Sequence, residues 1–103
     1  MLASARQQWE DGSRRLAGET GDPVRYRQLW DLVDAVVDEL RRRVGQRFSL
    51  EQLAAAHVNA EDWVRDVVRG STPAKARVGI RDVALVQDAA FHVYSRGADD
   101  YTP

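Results

Sequence analysis

The sequence predicts an all-α bundle of about five helices, on three observations. Apolar residues recur at steps of three and four through most of the chain, helix-start and helix-stop residues divide it, and no interval alternates β-branched residues between hairpin turns. The expected helices cover about 3–17, 23–44, 50–57, 60–69 and 81–96, with a helix-turn-helix-like pair at 50–69. A chain of 103 residues reads as one domain, able to bury roughly two-thirds of the surface it exposes when unfolded. Within 1–103, segment 70–79 is expected as an exposed loop and 98–103 as a short tail.

The first helix places Leu2, Ala5, Trp9 and Leu16 on one stripe, with Arg6, Gln7, Gln8, Glu10, Arg14 and Arg15 opposite. Gly12 is expected to weaken its middle by about 1 kcal/mol relative to alanine. Gly18 to Gly21 should end it. Asp22-Pro23 then opens the second helix: Asp caps free backbone amides, and proline gives up an amide that has no partner there. Tyr26, Trp30, Val33, Val37, Leu40 and Val44 step along this helix by fours and threes, and Leu29, Leu32 and Val36 widen the stripe to one side. Asp38 and Glu39 precede Arg42 and Arg43 by four residues, the favourable order for surface pairs. Gly45 is its stop.

Ser49 and Gln52 have capping-box spacing, and Phe48 can staple onto Leu53. The third helix is short. Val58-Asn59 repeats the pattern, so Asn59 is expected to cap the fourth helix with Val58 against Trp63, and Gly70 to close it. The last helix is apolar over most of its circumference, with a narrow polar strip of Arg81, Asp88, His92 and Ser95, and belongs in the middle of the bundle. Gly97 is its expected cap.

Composition narrows the function. Hydrophobic residues make up 44% and charged residues 30%, an ordinary globular balance. With no cysteine there is no disulfide, thiolate nucleophile or thiolate metal site, which fits a reducing cytoplasmic location. No run approaches the roughly 18 apolar residues of a membrane span, and the N-terminal residues lack the apolar segment of a signal peptide, so neither insertion nor secretion is expected. Net charge is −1, which gives no general pull toward phosphate polymers. Lys75 is the only lysine among 15 cations, a bias that points to a GC-rich genome.

The sequence carries no recognisable catalytic or cofactor motif. His57 and His92 have no second nitrogen or sulfur ligand at local spacing, and a surface pair with Asp88 accounts for His92. Asp31, Asp34 and Asp38 form a solvated acidic face without the Glu-x-x-His of helical metal sites. Trp9, Trp30 and Trp63 each sit on an apolar face as core, and the GSTPAKARVG stretch has the wrong spacing for a phosphate loop. No enzyme, cofactor or metal is expected.

Two functions remain. The first is a non-catalytic protein-interaction module, regulatory or adaptor-like, because the apolar stripe of the second helix is broader than one neighbour covers. Its partner face would be Tyr26, Trp30, Val33 and Val37, and a homodimer is one form of it. The alternative is a helix-turn-helix DNA-binding regulator, with Arg65, Arg69, Lys75 and Arg77 on nucleic acid. Glu61, Asp62 and Asp66 near the start of its reading helix oppose that docking.

Overall fold

The computed structural model describes residues 2–18, 21–73 and 78–99, with side chains described for 5–18, 21–73 and 78–97. Five helices follow in order: α1 Leu2–Gly18, α2 Pro23–Val44, α3 Leu50–Val58, α4 Glu61–Ser71 and α5 Ile80–Asp99. No strand occurs among the described residues. None of the described helices is long and apolar enough to cross a membrane.

α5 is the axis of the bundle. Every residue from Leu85 to Phe91 is buried, because α1 and α2 pack along it from different sides while α3 and α4 close the rest. The polar members of that run, Gln87 and Asp88, are therefore interior, and so is Ser95, whose hydroxyl donates to the His92 carbonyl at 2.7 Å. The polar strip expected on α5 is thus largely enclosed, since four helices leave it little open circumference. The core is aliphatic with a few rings: Trp9 lies 5.6 Å from Phe91, centroid to centroid, and Phe48 stacks on Tyr94 at 4.7 Å.

α1 rides on α5 through Trp9 and Leu16, and Gly12 between them faces Asp88 so closely that an added Cβ would collide with the Asp88 Cβ. Gly12 is a contact point, not merely a weak one: only a residue without a side chain lets the two backbones approach this far. On α2 the buried line is Leu29, Leu32, Val33, Val36 and Leu40, so the core face is centred on the residues read as a widening of the stripe. Val24 N–H donates to Asp22 Oδ1 at 3.0 Å, and Pro23 opens the helix as its spacing predicts. Arg43 meets Glu39 at 3.2 Å, but Arg42 also turns to Glu39, at 2.6 Å, leaving Asp38 to Arg41 at 3.5 Å. Pairs at both three and four residues are neighbours on a helix, and Glu39 takes two partners.

Four boundaries differ from the sequence reading. α4 begins without a side-chain cap: Ala60 is the N-cap in helical conformation and Asn59 instead ends α3. The turn is closed by backbone, with Asn59 N–H donating to the Ala56 carbonyl and Ala60 N–H to the His57 carbonyl, and Val58 stands exposed instead of stapling onto Trp63. α4 also runs through Gly70 to Ser71, where the Thr72 hydroxyl donates to the Val68 carbonyl. The loop is correspondingly shorter than 70–79. α5 passes through Gly97, whose bare Cα faces Phe48, and takes in the first residues of the expected tail.

Candidate functional site

A trough of about 1130 Å³ lies between α4 and α5, closed at one side by the end of α3 and by Gln8 of α1. Two helix faces form its walls. α4 and its C-cap contribute Glu61, Arg65, Val68, Arg69 and Thr72, and α5 contributes Ile80, Val83, Ala84, Gln87 and Asp88. Val58 and Ile80 stand on its rim with 78% and 85% of their surface exposed, the barest large aliphatic side chains of the described chain.

Its polar end is built on His57. His57 Nε2 lies 3.0 Å from Asp88 Oδ1, and since a carboxylate only accepts, that nitrogen carries the proton. The ring is fixed edge-on to Phe91 at 4.9 Å and tilted against Trp9 at 5.5 Å. Gln87 Nε2 donates to the His57 carbonyl at 3.3 Å, so α3 is tied to α5 through both its side chain and its backbone at one residue. The expected partnership of Asp88 with His92 is replaced by this one. His92 is half-buried with Nδ1 unpartnered among the described residues, and its pKa is lowered from the ordinary value by burial, helped by the Arg96, Arg6 and Arg14 charges and opposed by Glu10.

The chemistry available here is limited. Asp88 holds the outer nitrogen of His57, leaving Nδ1, next to the residue's own backbone, as the only free nitrogen for proton transfer. The Thr72 hydroxyl on the same wall is already engaged with Val68. No group of three carboxylates or histidines able to hold a metal occurs among the described residues.

Residues singled out from the sequence differ in their exposure. Tyr26 is exposed at 41% and edge-on to Trp30 at 6.2 Å, Trp30 and Val37 are half-buried against the core, and Val33 is buried in it. These four form no continuous open face, because α5 and α4 cover the stripe. Arg65 and Arg69 do come together on the trough wall; Arg65 is paired to Glu61 at 2.9 Å, while Arg69 has no ion-pair partner among the described residues. Lys75 and Arg77 lie outside the described residues. α3 and α4 each pack on α5 and on α2. Asp31, Asp34 and Asp38 are exposed along α2.

Sequence reasoning missed the trough itself. Val58, a valine at a helix end, carries a signal that a staple onto Trp63 would equally explain, and Ile80 lies one residue ahead of the expected helix start at 81. Comparison with known proteins finds no matching family, no matching curated protein and no matching solved structure.

Proposed function

We propose that this chain is a non-catalytic helical interaction module that holds a partner in the trough between α4 and α5. The observation that carries the reading is the pair of bare aliphatic side chains, Val58 and Ile80, standing at the rim of a concavity. Contiguous apolar surface around a hollow is a usual mark of a binding face on a small domain. The His57–Asp88 pair supports a structural part for the polar end, since its groups are spent on joining α3 to α5.

The test compares affinity capture by the wild-type chain with capture by Val58→Asp and Ile80→Asp, with nuclease treatment, from the cells that make the protein. A partner retained by the wild type and lost from both variants is the expected result. Capture profiles that are identical for all three count against the reading. Sedimentation equilibrium covers self-association: a dimer abolished by Tyr26→Asp but not by Ile80→Asp would move the docking face to α2.

A second reading, DNA binding, has one observation in its favour, the exposed Arg69, which has no ion-pair partner among the described residues, beside Arg65 on α4. Its support is smaller because Glu61, Asp62 and Asp66 are exposed on the same helix. It requires binding that weakens steeply with salt and with Arg69→Ala, and a flat mobility-shift titration at low salt would remove it.

A further inference from the structure

We infer that the trough is the seat of an amphipathic helix bearing an acidic residue, a sixth helix that the bundle accepts from its partner. The inference rests on the interaction-module reading and specifies the occupant.

Three observations lead to it. The first is the pattern of the walls. On α4, Glu61, Arg65 and Val68 line the trough at steps of four and three, followed by the C-cap Thr72, and on α5, Ile80, Val83 and Gln87 do so at three and four. Each wall is therefore a ridge with the repeat that a third helix interlocks with when its side chains fill the spaces between.

The second is size. A helix roughly 10–12 Å across, rising about 1.5 Å per residue, displaces the trough's volume of about 1130 Å³ in some two to three turns. That volume lies above the roughly 300–1,000 Å³ of small-molecule sites.

The third is charge. On the α4 wall Glu61 is paired with Arg65 at 2.9 Å while the exposed Arg69 has no ion-pair partner among the described residues, and the Asp88 carboxylate, 3.0 Å from His57 Nε2, is itself buried. An occupant that lays aliphatic side chains against Val58 and Ile80 and sets a carboxylate toward Arg69 satisfies both surfaces. A basic helix meets like charge at the same place.

A helix-biased peptide display library panned on the full chain tests this, with the enriched peptides synthesised, labelled and titrated by fluorescence anisotropy. Enriched sequences should carry apolar residues at i, i+3 or i+4, and i+7, with Asp or Glu on the flank. Ile80→Asp should weaken them by about tenfold or more, the effect of losing ~1.4 kcal/mol. Arg69→Glu should do the same and be rescued when the peptide's acid is exchanged for lysine. Val93→Asp, at an exposed position away from the trough, should change nothing. Since Ile80, Arg69 and Val93 are exposed, the variants keep the fold, which far-UV circular dichroism checks. Peptides indifferent to Ile80→Asp, tolerant of a central proline, or bound equally well with lysine for the acid overturn the inference. A library that yields no binder also overturns it, while a partner found in the capture comparison would leave the interaction module standing.

Discussion

Gly12 and His92 are the residues whose surroundings differ most from what their types suggest. In an isolated helix Gly12→Ala would gain about 1 kcal/mol. Here the new methyl meets the Asp88 Cβ, an atom held by the α5 backbone, so α1 must lift off its seat. Overpacking of this kind costs roughly 1–3 kcal/mol, and the variant is expected to be less stable by about 1 kcal/mol in urea denaturation. A variant more stable than wild type would mean that α1 and α5 are not in such close approach. His92 gives a pH dependence with a definite sign. Its folded pKa is depressed, first by burial, so between that value and the ordinary 6.5 the unfolded chain binds more protons than the folded one. This residue's contribution to stability is intact above about pH 6.5 and is lost progressively as pH falls through that value toward the depressed pKa. Going from pH 7.5 to 5.5, the wild type should lose more stability than His92→Gln, and equal losses would refute the assignment. His57, seven residues from the start of α3, was legible only as a histidine; that it joins α3 to α5 depends on Asp88, which lies 31 residues further along.

At the scale of elements, two neighbouring helix starts show how far local chemistry reaches. The capping box at Ser49 is complete, with Gln52 N–H donating to Ser49 Oγ at 3.1 Å and Ser49 N–H donating to Gln52 Oε1 at 2.8 Å. Ser49→Ala is therefore expected to cost about 1 kcal/mol. Asn59 presents an equally good capping residue in sequence, yet α4 takes Ala60 as its N-cap and uses no side chain there. Asn59→Ala should therefore change thermal stability by much less than Ser49→Ala, and a comparable loss would restore Asn59 as the cap. The difference is tertiary: Ala60 is fully buried, so the turn is positioned by packing and closed by backbone hydrogen bonds. A similar force carries α4 past Gly70, where Thr72 supplies the terminal hydrogen bond, and carries α5 past Gly97, which lies beside Phe48. Glycine ends a helix when nothing else holds the next turn in place.

For the whole molecule, stability is shared around α5, and α1 is the clearest instance. It supplies Trp9 and Leu16, both fully buried, and covers the face of α5 around Asp88. A chain beginning at Gly21 would expose Phe91 and His57 where Trp9 now lies, and should lose its cooperative thermal transition; retention of a sharp transition would make α1 dispensable. Clamps at both ends hold α2 to the axis. Arg25 of α2 is ion-paired with Asp82, and the Tyr94 hydroxyl donates to the Gly45 carbonyl just past the end of α2. The sequence by itself determined the helical class, the five segments, the strong starts at Asp22 and Ser49, and the central place of α5, since these follow from periodicity and from side chains within one turn of each other. Tertiary structure alone decided which line of α2 faces inward, that Asp88 meets His57 and not His92, that Gly12 is a contact, and that Val58 and Ile80 frame an open trough. Each of these turns on distances between residues far apart in the chain, which no local pattern encodes: a helix's own spacing says how wide its apolar stripe is, while only its neighbours decide how much of that stripe is covered.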